Sequence, residues 1–160
     1  MPAERSMFTR ILLWPLMATI TIAVSFAQQT NEGAYSCAAK SSGGIFYNDQ
    51  TKKWEGTSFR PLSEFTLRLK YVRTATDGDE YAATVTFSGR NDALPCIAYR
   101  TELVQIDELG FLVCRTRLYN YKFNLKAGRF VEAYLMGYIG GDDTNDDTPV
   151  LSGGVCTKIE

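Results

Sequence analysis

The clearest pattern in the chain is an alternation of apolar and polar residues with a period of two. Phe65, Leu67, Leu69 and Tyr71 alternate with Glu64, Thr66, Arg68 and Lys70, which marks a strand with one face on a core and the other in water. Ala83, Val85 and Phe87 alternate in the same way with Ala82, Thr84 and Thr86. Asp77-Gly78-Asp79 lies between the two runs and supplies turn chemistry, so this stretch predicts a hairpin. A second hairpin is predicted where Ile45-Phe46-Tyr47 and Trp54 to Phe59 flank Asn48 to Lys53, with Trp54 anchoring the core.

A third hairpin pairs Thr116 to Leu125 with Arg129 to Ile139. A three-residue loop, Lys126-Ala127-Gly128, with Gly128 in the left-handed conformation, fixes the expected register. That register sets Tyr121, Phe123 and Leu125 on one face with Val131, Ala133, Leu135 and Ile139. Lys122 then falls opposite Glu132 on the wet face, which Tyr134 and Tyr138 share as a candidate recognition patch. The remaining runs are Tyr35 to Ala39, Tyr99 to Ile106, Gly110 to Arg115 and Val150 to Ile159. No segment sustains a helical period. The expected fold is therefore all-β, an antiparallel meander of about eight to nine strands closing as a small barrel, with a two-sheet β-sandwich as the alternative.

The first segment lies outside this pattern. Arg5 and Arg10 precede an uncharged run from Ile11 to Ala27, and Ser25-Phe26-Ala27 offers small residues at a cleavage point. This is signal-peptide anatomy. Residues 1–27 are expected to be removed, leaving a single domain from Gln28 to Glu160 that is secreted or periplasmic. Pro15 and two threonines weaken the run as a permanent anchor, so no stable membrane insertion is expected.

Composition narrows the chemistry. The 17 Lys+Arg balance 18 Asp+Glu without a basic run, so the footprint of a nucleic-acid binder is missing. Histidine is absent, which removes the commonest general base and metal ligand. Cys37, Cys96, Cys114 and Cys156 form an even set with no C-x-x-C spacing, which reads as two disulfides in an exported chain. Cys37 with Cys156 would tie the first strand to the last. Cys96 with Cys114 is the complementary pairing, although a turn at Asp107 to Gly110 that sets Glu102 opposite Arg115 would leave Cys114 facing Leu103. Glu64, Glu102 and Glu132 read as solvated strand-face charges, so no catalytic set is expected.

Tyr35-Ser36-Cys37, Gly44-Ile45-Phe46-Tyr47, Trp54-Glu55-Gly56, Arg129-Phe130, Tyr134, Gly137-Tyr138 and Ser152-Gly153-Gly154-Val155-Cys156 run through nearly the whole exported part. In these residues the chain resembles a group of small exported proteins of alphaproteobacteria. The resemblance implies export and an envelope setting, and brings no activity with it. Tyr35-Ser36-Cys37 and Cys156 are also similar to the periplasmic inhibitors of chicken-type lysozyme. Their inhibitory loop has no clear counterpart here, and Ser88-Gly89-Arg90 reads as a plain turn.

The remaining candidate is the acidic stretch that gathers Asp142, Asp143, Asn145, Asp146 and Asp147, with Asp143, Asn145 and Asp147 in D-x-N-x-D spacing. Hard oxygen ligands suit weak calcium binding. Thr148 stands where an EF-hand has its turn glycine, and Gly154 where it has the bidentate glutamate. The functional expectation is a non-enzymatic binding module of the envelope with a protein or glycan partner. The alternatives are a lysozyme-type inhibitor and a small-ligand or calcium carrier, and no cofactor beyond weak calcium is expected.

Overall fold

A computed structural model describes residues 31–98, 101–141 and 143–160. The expected signal peptide, together with Tyr99, Arg100 and Asp142, lies outside the described residues. Among the described residues ten strands form: β1 Gly33–Asn48, β2 Lys53–Phe59, β3 Glu64–Ala75, β4 Gly78–Phe87 and β5 Leu94–Pro95, then β6 Leu103–Ile106, β7 Phe111–Arg115, β8 Tyr119–Asn124, β9 Arg129–Tyr134 and β10 Val150–Lys158. Eight of them close into an antiparallel barrel in the order β1, β3, β4, β6, β7, β8, β9, β10, because β10 returns to pair with β1. β2 adds to the far half of β1 and β5 adds to β4. Closure of this single sheet sets the sandwich alternative aside.

The period-two pattern explains what fills the barrel. Phe65, Leu67 and Leu69 of β3 meet Phe87, Val85 and Ala83 of β4 in register, as the first hairpin predicts. With Tyr35, Tyr81, Tyr121 and Phe123 they occupy the interior. Phe65 is the hub, with ring centroids 4.9 Å from Phe130, 5.3 Å from Tyr121 and 6.2 Å from Phe123. Edge-on aromatic pairs of this kind pack densely. Arg68, Lys70 and Lys122 stand on the outer face, exposed.

Both expected disulfides form. Cys37 and Cys156 are direct cross-strand partners on β1 and β10, with Cα atoms 4.0 Å apart, so this bond staples the barrel seam. Cys96 reaches Cys114 by a route the sequence reading did not foresee. Arg115 pairs with Ile97 instead of Glu102. The chain after β5 thus lies alongside β7, and the Cys96 amide is held by the Ala83 carbonyl at 2.8 Å. That puts the two cysteines side by side, their Cα atoms 4.9 Å apart. Among the described residues a single pair, Ile106 with Leu112, joins β6 and β7.

The third hairpin differs from expectation by one residue. Its loop has four residues, Leu125 to Gly128, so Asn124 pairs with Arg129, Phe123 with Phe130, Tyr121 with Glu132 and Tyr119 with Tyr134. Lys122 faces Val131, not Glu132. Two contacts draw Leu125 out of the ladder: its amide donates to the Gly110 carbonyl at 2.9 Å, and the Asn124 side chain accepts from the Ala127 amide at 2.9 Å. Gly128 takes the left-handed conformation at φ 61°. A one-residue slip turns every side chain to the other face. Glu132 is therefore buried instead of solvated, and Val131 is exposed. The strand ends at Tyr134, and Ile139, expected on the apolar face, lies exposed in a short 3-10 turn, Tyr138–Gly140.

Trp54 is also placed differently. A bulge between Ala39 and Ser41 bends β1, and past Gly44 it pairs with β2 alone. This arm carries Trp54 out of the core. Its ring packs on Tyr47 at 5.7 Å and edge-on against Tyr138 at 5.4 Å.

Candidate functional site

The register of β8, β9, β10 and β1 lines up one transverse row of inward side chains: Tyr121 pairs with Glu132, Glu132 with Ser152, and Ser152 with Ser42. This row sits where the barrel interior gives way to its mouth. Phe123, Phe130 and Phe65 lie below it. Above it the Tyr119 and Tyr134 rings pack at a tilt of 46°, their centroids 5.4 Å apart. The connection from β2 to β3, carrying Arg60, Leu62 and Ser63, borders the opening on one side, and the loop at Asn145 to Thr148 borders it on the other. The result is a cleft of about 440 Å³ with Glu132, Ser42 and Ser152 among its lining residues.

Glu132 is 4% exposed. Among the described residues, no Lys or Arg nitrogen is paired with its carboxylate. Its Oε2 is fully buried and has no hydrogen-bond partner. Burial pushes the carboxyl above its ordinary range, against the smaller opposing pull of the Ser63 and Ser152 hydroxyls. Ser152 in turn shares a hydrogen bond with Ser42, their oxygens 2.9 Å apart. The Tyr121 hydroxyl is likewise buried without a partner, and burial followed by the Glu132 charge drives its pKa upward. Buried polar atoms are satisfied almost without exception, so two orphans in one row call for an explanation.

At the other barrel end, among the described residues, the tyrosine hydroxyls have partners. There the Tyr35 hydroxyl donates to the Asn31 carbonyl at 2.9 Å, and the Tyr81 hydroxyl accepts from the Asn31 amide at 3.2 Å.

The acidic stretch forms the rim of the cleft, and its side chains point to separate partners. Asp143 accepts from the Trp54 indole at 3.0 Å. Asn145 grips the backbone of Tyr47, accepting from its amide and donating to its carbonyl, each at 2.7 Å. Asp147 accepts from the Tyr134 hydroxyl at 2.6 Å, which raises the pKa of that tyrosine to about 12. Asp146 is exposed beside Thr144. The D-x-N-x-D spacing thus serves to fasten the rim to the arm and to β9. Among the described residues, no three acidic or cysteine side chains are grouped so as to hold a metal ion.

The chain matches no protein-family model, no curated protein and no solved structure. Its site is therefore read from its own residues. Of the two tyrosines expected to form a recognition patch, Tyr134 stands in the cleft wall, while Tyr138 is 54% exposed on the arm side of the rim, against Trp54. They do not share a strand face. Ser88-Gly89-Arg90 forms a tight turn closed by the Arg90 amide on the Phe87 carbonyl at 3.0 Å. Glu64 and Glu102 are exposed, as expected. Glu132 was missed because a lone charged residue between apolar neighbours reads as outward-facing. The usable signal was volume: Phe130 and Tyr134, the two largest side chains of β9, share its parity.

Proposed function

We propose that this chain is an exported, non-enzymatic binding module of the cell envelope that takes a small polar group into the cleft at its barrel mouth. The observation that carries this reading is the unpartnered, buried Glu132 oxygen lining an open cleft. A buried carboxyl without a counter-charge costs folding free energy, and a bound donor would offset that cost. The interior below is occupied by aromatic side chains, which favours binding at the mouth over carriage within the barrel. Two disulfides fit an oxidising compartment. Charged side chains on the outer face and apolar ones inside are the reverse of a lipid-embedded barrel, in keeping with a module that does not insert in a membrane. Histidine is absent from the sequence, and among the described residues no lysine lines the cleft beside Ser42, Ser63 and Ser152, so these serines lack the commonest partners of an acyl-transfer nucleophile.

The test is a fragment screen by two-dimensional NMR on the isotope-labelled protein, using simple sugars, amines and carboxylates. Shifts that cluster on Ser63, Tyr119, Glu132, Tyr134 and Ser152 are expected. Hits confined to other surfaces, or hydrolysis of an ester or glycoside fragment during the titration, would overturn the reading.

A further inference from the structure

We propose that the group bound in the mouth cleft is a primary ammonium, held by the Glu132 carboxylate at the floor and by the Tyr119 and Tyr134 rings at the wall. This rests on the binding-module reading above and names the ligand chemistry. Three observations lead to it.

The first is charge. Among the described residues the cleft is lined by three carboxylates, Glu132, Asp146 and Asp147, and by one guanidinium, Arg60. Among the described residues Arg60 makes no ion pair with any of them. An anionic ligand would meet an excess of like charge.

The second is the kind of partner that Oε2 lacks. The groups facing Glu132 are Tyr121 and Tyr119 from β8, Tyr134 from its own strand, Ser152 from β10, Ser63 and Arg60 from the connection before β3, and the rim carboxylates. Tyr119 in turn feels Arg90. Hydroxyls surround the carboxyl, and among the described residues no cation pairs with it. A hydroxyl ligand would add one more neutral donor, whereas an ammonium supplies three donors and the missing charge together.

The third is shape. The Tyr119 and Tyr134 rings, tilted at 46° to one another, offer aromatic faces beside the acid, and a cation is drawn to such faces, most of all where water is thin.

The pH dependence follows from the direction of the carboxyl's shift. The ammonium favours the ionised acid, and that acid is held protonated to higher pH than an ordinary carboxyl. Affinity should therefore be full at mildly alkaline pH and fall as pH drops through the raised carboxyl value.

The experiment titrates the folded protein with n-butylammonium, butan-1-ol and butyrate, followed by cleft resonances. The ammonium is expected to bind at the cleft and the other two to bind far more weakly. Glu132→Gln should weaken the ammonium by at least about tenfold and flatten its pH profile. Asp147→Asn, which leaves the floor intact, should weaken it by a smaller factor. Glucosamine and Nα-acetyl-lysine amide then distinguish an amino sugar from a peptide side chain as the source of the group, and tighter binding by either supports the inference. Cleft binding by butanol or butyrate as tight as that of the ammonium, or ammonium binding unchanged in Glu132→Gln, would overturn the cation and leave the binding module standing. No cleft shift with any ammonium also overturns the cation, and the fragment screen then judges the module separately.

Discussion

At Glu132 two demands conflict, since the strand register turns its side chain inward while its charge favours water. Burial raises the carboxyl's pKa in the folded state. The stability this group contributes is thus fully present below the ordinary carboxyl range and is lost as pH rises through the folded value. Glutamine has the same shape and no charge to bury. Glu132→Gln should melt at nearly the parent temperature around pH 4 and above it at pH 8, with a gain of about 1–3 kcal/mol at the higher pH. Thermal melts of both proteins across that range check this. A difference that does not vary with pH would show that the carboxyl is ionised without penalty in the fold. A group that weakens its own protein at neutral pH is what a binding role requires more than a structural one.

Among the elements, the β3–β4 hairpin was legible because its alternation is unambiguous and Asp77-Gly78-Asp79 marks the turn to within a residue or two, the chain reversing at Thr76–Asp77 with Gly78 already pairing with Ala75. The β8–β9 hairpin was not, because β9 is apolar on both parities: Phe130 and Tyr134 on one, Val131 and Ala133 on the other. With the pattern ambiguous, loop length decides the register, and the loop is set by a local bond from the Ala127 amide to the Asn124 side chain together with a tertiary contact of the Leu125 amide to Gly110 that local sequence does not reveal. The site was lost with the register, since the same slip hides Glu132. The rim loop was legible only as an acidic stretch. Its function as a fastener depends on Tyr47 and Trp54, about a hundred residues away in the chain. Asn145→Ala removes both hydrogen bonds to Tyr47, and should cost about 1–3 kcal/mol and raise amide exchange across Asp143 to Thr148. Exchange no faster than in the parent would show the loop is held by other means. Because Asp143, Asn145 and Asp147 are turned to separate partners, about 5 mM calcium should leave the melting temperature unchanged. A rise that disappears in the Asp143→Asn, Asp147→Asn double variant would mean the loop regroups around the ion.

For the whole molecule, the two disulfides hold different things. Cys37–Cys156 spans 119 residues and Cys96–Cys114 spans 18. In the chain-entropy account the long loop contributes nearly 5 kcal/mol and the short one about 3, so replacing the first pair by serine should lower stability more than replacing the second. Denaturant unfolding of the two double variants measures the order, and the reverse order would place the weaker half of the barrel at β6 and β7. The seam also imposes a sequence in time. The strand that completes the barrel is the last of the described residues to be synthesised, and its partner is the first. Cys37 must therefore wait with an open thiol while Cys96 and then Cys114 appear, and an oxidant that joins cysteines in order of emergence makes a wrong bond, Cys37 to Cys96, before Cys156 exists. Oxidation of the chain as it is synthesised should accordingly show an early Cys37–Cys96 species whose decay is sped up by a disulfide isomerase, and that species should be less populated when the full-length reduced chain, with all four thiols present at once, is refolded. A permutant with residues 160 and 31 joined and new ends in the Thr76–Asp77 turn would make the seam strands neighbours in synthesis, and should bypass that species.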